Sequence, residues 1–484
     1  MNAALFIIAA TVLGVLCLGL LAGRGKEMDL EQWTIGGRGF GTILVFVLMA
    51  GEIYTTFTFL GGSGFAYGHG GPVFYILAYG CLAYAISYWM LPSIWRYAKR
   101  HRLIAQPDFF AHKYDSPALG ALVALVGIVA LIPYLVLQLK GLGIIVDAAA
   151  YGTISPPAAI WIGAAVVTVY VMVSGVRGSA WTAVVKDTLI LAVVLFLGIY
   201  LPIHYYGGYG AMFSAIDAAK PGFLALPARG ESVAWFDSTV LLTALGFYMW
   251  PHAFGSLFTA KEETAFRRNA VFMPLYQLIL LFVCFVGFAA ILRVPGLIGP
   301  EIDLSLLRLS VQSFDPWFVG VIGAAGVLTA LVPGSMILIT AATLLANNIF
   351  RLIRPHTTDA AVSFLARLLV PVIALLGVYF ALRGGTTIVA LLLMGYSFVT
   401  QLFPTLIASL LGHNPVTREG ALAGICVGVT TVAITSLTHS SVATLFPELP
   451  DALRDLNVGI VALILNLAAL GVVSTVTRRR PAYA

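Results

Sequence analysis

The chain has 484 residues, of which 60% are apolar and only 10% charged, and its mean hydropathy is +0.97. Soluble globular proteins carry about 25% charged residues, so no water-facing surface can be built from this composition and a multi-domain soluble protein is excluded. The net charge of +6 comes without a basic patch interleaved with aromatics, which argues against a nucleic-acid partner. What remains is an all-α polytopic membrane protein.

Thirteen segments are long and apolar enough to cross a bilayer, which takes roughly 20 apolar residues per helix. They are predicted at about 3–22, 40–66, 72–97, 117–146, 156–176, 179–202, 237–257, 269–293, 316–346, 361–383, 385–412, 420–440 and 456–477. The first follows no Lys or Arg and precedes Arg24 and Lys26. That is the reverse of a secretory signal, so it reads as a retained span with the N-terminus outside. Cytoplasmic connections collect Lys and Arg. On an N-out, C-in layout eighteen of the 27 basic residues fall inside, from Arg24, Lys26 and Arg38 through Arg96–Arg102, Lys113, Arg177, Lys261–Arg268, Arg351, Arg354 and Arg418 to Arg478, Arg479 and Arg480. Six fall outside (Lys220, Arg229, Arg293, Arg308, Arg383, Arg454) and Lys140, Lys186 and Arg367 fall within spans.

The outer loops at 203–236 and 294–315 are too short for a soluble domain, and with only Pro481 to Ala484 after the last Arg cluster no signalling module is expected. Cys17, Cys81, Cys284 and Cys426 sit in apolar runs and read as small buried hydrophobes. Metal-spaced histidines, clustered carboxylates, a nucleophile elbow and a phosphate-binding loop are all missing from the sequence, so neither an enzyme nor a cofactor is expected.

Two crossings have sequences that make poor plain helices. The second reads Gly51-Glu52-Ile53-Tyr54-Thr55-Thr56-Phe57-Thr58 and then Gly61-Gly62-Ser63-Gly64. Irregular backbone at membrane depth persists only where it is buried in protein or lines a cavity, although small residues also serve tight helix packing. The seventh reads Tyr248-Met249-Trp250-Pro251-His252, where Pro251 removes a helical hydrogen bond. That is a functional break or a simple kink, and His252 is a pocket residue or a satisfied core histidine. The two lie five helices apart. Matching breaks in successive blocks, crossings 2–6 and 7–11, predict a five-plus-five inverted-repeat transporter core with its site at the midplane. The expected organisation is an extra helix and loop at 1–39, repeats at 40–202 and 237–412, and two extra helices at 413–484.

The residues also carry a resemblance. Gly51-Glu52-Ile53-Tyr54-Thr55-Thr56-Phe57-Thr58-Phe59-Leu60-Gly61-Gly62, Ile132-Pro133-Tyr134 with Gln138-Leu139-Lys140-Gly141, Ser174-Gly175-Val176-Arg177-Gly178-Ser179-Ala180-Trp181-Thr182, Met249-Trp250-Pro251-His252, and Ala330-Leu331-Val332-Pro333 with Asn347-Asn348-Ile349-Phe350-Arg351 resemble the sodium/solute symporter family, most closely its bacterial monocarboxylate-permease branch. The resemblance implies alternating access and a coupling ion, H+ or Na+. It also implies a sodium site built from carbonyls of the second crossing, here near Gly51 and Tyr54, with paired hydroxyls on the ninth and a Trp-Thr-Asp on the sixth. This sequence departs from that pattern. Val332 and Pro333 stand at the hydroxyl positions, with Thr329 and Ser335 the nearest replacements, and Ala183 follows Trp181-Thr182. Hard cations need several oxygen ligands, and two sources of them are gone.

Lys186, about seven residues into the sixth crossing, is expected to put an ammonium where the resembled family holds sodium, taking the same carbonyls and exchanging a proton during the cycle. Snorkelling, pairing with Asp187 or bracing helices are the competing roles. Glu52 is placed with this coupling site, as a proton or amine binder or a helix cap. The crossings expected to line the substrate site offer Tyr54, Thr55, Gln138, Lys140, Tyr248, Trp250, His252, Tyr396, Thr400 and Gln401, with Lys140 either facing a carboxylate or snorkelling outward. The expected function is uptake of a short monocarboxylate such as lactate, pyruvate or acetate across the cytoplasmic membrane, coupled to protons. A sodium-coupled carrier of an amino acid, vitamin or sugar, and a transport-fold sensor, are the alternatives. The expected partners are the solute and the bilayer, with no obligate protein.

Overall fold

The computed structural model describes residues 2–23 and 29–478, and within them the chain is helical throughout, without β-strands. Arg24, Lys26, Arg479, Arg480 and the segment Pro481 to Ala484 lie outside the described residues. Nine described helices are long and apolar enough to cross a membrane, and Val233–Met249 with Pro251–Phe258, bent by 48°, forms a tenth. One of the nine, Pro156–Tyr206, has 51 residues. At 1.5 Å per residue it is roughly 75 Å long, more than two bilayer cores, and it divides at Gly175, whose φ of 57° and ψ of −158° are not helical. A Cβ at Gly175 would lie 2.8 Å from Trp33, so only glycine permits both the turn and the contact.

Counting its two arms separately, and adding Ala3–Gly23 and the interrupted Thr42–Gly51/Gly62–His69, gives thirteen crossings among the described residues. The third and fourth are Tyr75–Arg100 and Pro117–Ala149; the fifth and sixth are residues 156–174 and 176–206. The seventh is Val233–Gly246 with Pro251–Phe258, and the eighth is Thr264–Leu278 with Leu280–Ala290. The remaining five are Pro316–Thr343, Asp359–Arg383, Ile388–Val399 with Phe403–Leu410, Arg418–Leu437 and Val458–Thr477.

An 18-residue stretch of the ninth crossing is wholly enclosed by the others, which its many small and aliphatic residues permit. The division between the fifth and sixth falls at Gly175, two residues before its expected place. Both outer loops hold short helices, Tyr209–Ala219 and Ser305–Ser313. Cysteine burial is a correction. Only Cys284 is buried; Cys17 and Cys426 are exposed and Cys81 is intermediate, because an apolar run in a bundle of this kind faces lipid as readily as core.

The two interrupted crossings are tied together at the basic side. Phe40 N–H donates to the Thr259 carbonyl at 3.0 Å and Lys261 N–H donates to the Phe40 carbonyl at 2.9 Å, joining the start of the second crossing to the end of the seventh. At the opposite side the loop before Ser305–Ser313 packs on the second crossing so closely that a Cβ at Gly64 would meet backbone atoms of Ile302 and Asp303 at 2.9–3.0 Å. The buried Asp303 carboxylate there accepts from Ile388 N–H at 3.0 Å, filling an orphan donor at the start of the eleventh crossing.

Candidate substrate and coupling site

Helical hydrogen bonding in the second crossing fails after Gly51 and resumes as a wide turn at Phe57–Gly61. The threonines supply what the backbone loses. Thr58 Oγ1 donates to the carbonyls of Ile53 (2.8 Å) and Thr55 (3.0 Å) and accepts from Thr55 N–H, while Thr55 Oγ1 accepts from Phe57 N–H at 3.2 Å. The carbonyls of Gly51 and Tyr54 are met from another helix. Lys186 Nζ donates to them at 2.8 and 2.9 Å and lies 2.9 Å from Asp187 Oδ1.

An ammonium has three donors; the two carbonyls take two of them, Asp187 adds an ion pair, and Lys186 is fully buried. The floor of the site is hydrocarbon. From the Cβ position of Gly51 the nearest atoms are Lys186 Nζ at 3.4 Å, the Ala183 methyl at 3.6 Å and a Val332 methyl at 3.9 Å. Two of the three positions where the resembled family would put oxygen, Ala183 and Val332, therefore face Gly51 with methyl groups. Thr329 donates to the Gly326 carbonyl of its own helix, and Ser335 to the Val332 carbonyl, with Ser179 Oγ 2.7 Å away. Pro333 is buried within the ninth crossing.

The seventh crossing breaks at Trp250, whose ψ of 130° is extended, and restarts with Pro251 in the first turn, where a missing N–H costs nothing. The carbonyl freed at Met249 accepts from the buried Gln106 Nε2 at 2.8 Å. The Glu52 carboxylate accepts a short hydrogen bond from Ser256 Oγ, so the two breaks are joined by side chains as well. Around them the rings of Tyr134 and Trp250 (4.9 Å between centroids), Tyr134 and His252 (5.3 Å), Trp250 and Tyr396 (5.3 Å) and Tyr79 and Tyr396 (5.9 Å) form one aromatic wall. Gln138 is one helical turn from Tyr134, on the same face. Both its amide atoms, His252 Nδ1 and Thr56 Oγ1 are buried without a hydrogen-bond partner. Buried polar groups are ordinarily paired, so this is where a polar solute would gain most.

The structure does not bring every expected residue here. Lys140 donates to the Thr386 carbonyl and lines a groove of about 640 Å³ on the flank of the bundle, with Phe380, Arg383, Met394 and Phe398. Its long stem lets the ammonium leave the interior. Gln401 turns toward the thirteenth crossing, donating to the Gly459 carbonyl and accepting from Asn466, and Thr400 donates to the Leu242 and Tyr396 carbonyls. Tyr54 contributes its carbonyl, but its ring packs on Tyr276 at 4.9 Å. Tyr248 packs on Phe247, and Thr55 is spent on the break. Gln106, Ser256, Tyr79 and Tyr276 escaped the sequence reading, because a polar residue in an apolar run carries no sign of which face it takes. Replacing Lys140 with Met is expected to leave KM for the solute within about threefold, the equivalent of a surface substitution. A tenfold rise in KM would return Lys140 to the site.

Comparison with known proteins agrees with this architecture. The model of the sodium:solute symporter family matches residues 33–428. An uncharacterized symporter, YhjB, of Bacillus subtilis is 67% identical over 99% of this chain and 98% of its own length. A monocarboxylate transport permease protein of Rhizobium johnstonii is 30% identical over 86% of this chain and 84% of its own length. Among solved structures, a Na+-coupled sialic acid symporter in a substrate-bound outward-open state superposes with a TM-score of 0.81 over 98% of each chain at 14% identity, a likeness of fold. With the matched family model, the interrupted second and seventh crossings and the thirteen-helix layout in agreement, this chain belongs to the sodium:solute symporter family.

Proposed function

We propose that this multi-pass membrane symporter takes up a short monocarboxylate, such as lactate, pyruvate or acetate, across the cytoplasmic membrane, and that protons rather than sodium drive it. The observation that carries the reading is the Lys186 ammonium on the Gly51 and Tyr54 carbonyls, above a floor of Ala183 and Val332 methyls. A cation fixed to the sixth crossing pins the unwound second crossing, and loss of its proton releases it. Residues 40–202 and 237–412 act as the two repeats that rock against each other. Tyr134, Gln138, Trp250, His252 and Tyr396 hold the solute, its carboxylate taking the unpartnered amide of Gln138. The 30% identical relative, by its printed name, supports the solute class.

The test is uptake of labelled lactate, pyruvate and acetate into proteoliposomes in sodium-free buffer. An alkaline interior should drive uptake at least about tenfold faster than into protein-free liposomes, toward a limit of about tenfold inside over outside for a pH difference of one unit with one proton per anion, and a sodium gradient without a pH difference should drive none. Strict sodium dependence with no response to pH overturns the coupling. Concentrative uptake of none of the three acids overturns the solute class.

A further inference from the structure

Three ionisable side chains meet where the second crossing unwinds: Lys186 and Asp187 from the sixth crossing and Glu52 from the break itself. Lys186 is already committed, donating to two carbonyls and ion-paired with Asp187 at 2.9 Å. Glu52 has the Ser256 hydroxyl and only the field of that same ammonium.

Among the described residues, the other elements packed around Glu52 add no second cation. The fourth and seventh crossings bring the Tyr134 and Tyr248 phenols within electrostatic reach. His252 stands one turn before Ser256 on the seventh crossing, the eighth brings Tyr276 against Tyr54 and Asp187, and the ninth brings Val332. One ammonium, ion-paired with Asp187 and bonded to the carbonyl of the residue before Glu52, thus stands near two carboxyl groups at membrane depth, where uncompensated charge is costly. Glu52 keeps accessible surface, while Gly51, Ile53, Tyr54 and Thr55 on either side of it are buried. A short carboxylic acid is ionised at neutral pH. Its arrival would set three acids against one ammonium.

We propose that Glu52 is a substrate-linked proton site, separate from Lys186: the carboxylate takes a proton from the outer solution before or with the anion, remains neutral while the anion is bound, and returns the proton on the inner side after the anion leaves. No bond other than O–H forms or breaks. This goes beyond proton coupling through Lys186 and rests on the proposed function only in taking the solute to be an anion. It makes anion affinity, and not merely the driving force, depend on pH.

The experiment is equilibrium binding of lactate, pyruvate and acetate to the purified full chain between about pH 5.5 and 8, for wild type, Glu52→Gln and Glu52→Asp. In wild type Kd should rise with pH, approaching tenfold per unit once Glu52 is ionised in the free protein. In Glu52→Gln, an uncharged mimic of the protonated acid, Kd should stay within about twofold over that range and the protons taken up per bound anion should fall by one. Glu52→Asp should keep the slope with a displaced midpoint, which also serves if Glu52→Gln fails to fold. A wild-type slope in Glu52→Gln, an undisplaced midpoint in Glu52→Asp, or a flat profile in wild type overturns the assignment of Glu52 while leaving the monocarboxylate reading in place. Binding of none of the three acids at any pH overturns both.

Discussion

Replacing Lys186 with Ala is expected to abolish accumulation driven by a pH gradient, and replacing it with Arg to arrest the carrier. Ala leaves Asp187 buried without its ion pair and the Gly51 and Tyr54 carbonyls without their donor. Breaking a buried pair from one side typically costs about 3–5 kcal/mol, so a lowered thermal stability in detergent accompanies the loss. Arg keeps the positive charge but cannot release its proton, and its planar fork cannot sit where a compact ammonium meets two carbonyls at 2.8 and 2.9 Å and Asp187 at 2.9 Å. Uptake by either variant should fall at least about tenfold, the rate equivalent of 1.4 kcal/mol.

A purely structural lysine would lower uptake too, and the double variant Lys186→Ala/Asp187→Asn separates the cases. Removing both charges removes the stranded carboxylate, so stability should recover in part, while the response to pH stays lost. Recovery of pH-driven accumulation along with stability would reduce Lys186 to a brace between the second and sixth crossings.

That lysine was legible in the sequence because two independent cues met at it: a basic residue at membrane depth, and the missing oxygens at Val332, Pro333 and Ala183. Hydropathy and the placement of Lys and Arg likewise gave the crossings, since both are properties of a whole segment and survive errors of a few residues. Facing is a different matter. Lys140 and Gln401 lie on the expected helices yet turn to the flank and to the thirteenth crossing, because a helix all of whose faces are apolar has no hydrophobic period to reveal which face meets the core. Gln106 was invisible for a further reason: it acts from the short helix Gln106–Lys113 on a carbonyl 143 residues away, freed by a backbone break whose exact position the sequence did not give.

Replacing Gly395 with Val is expected to disable transport while leaving the bundle folded, because this glycine is what allows the eleventh crossing to lie against the broken seventh. A Cβ at Gly395 would stand 2.4 Å from Cη2 of Trp250 and 3.2 Å from the backbone carbonyl of Ala130. Real side chains do not approach so closely, and the carbonyl belongs to a helix and cannot withdraw. The indole must therefore move. Its ring holds Tyr134 at 4.9 Å, Tyr396 at 5.3 Å and His252 at 5.7 Å, so displacing it opens the wall between the fourth, seventh and eleventh crossings and disperses the groups proposed to hold the solute. Small misplacements of binding groups cost on the order of 10²-fold, and a loss of that size in kcat/KM is the expected result, with a shift in tryptophan fluorescence reporting the moved indole. Overpacking itself costs about 1–3 kcal/mol, which a bundle of thirteen helices should survive. Trp250→Phe in the Gly395→Val background removes the part of the indole that collides and should restore part of the activity. If Gly395→Val transports at the wild-type rate with unshifted fluorescence, the aromatic wall has room to spare and Trp250 does not close the solute site.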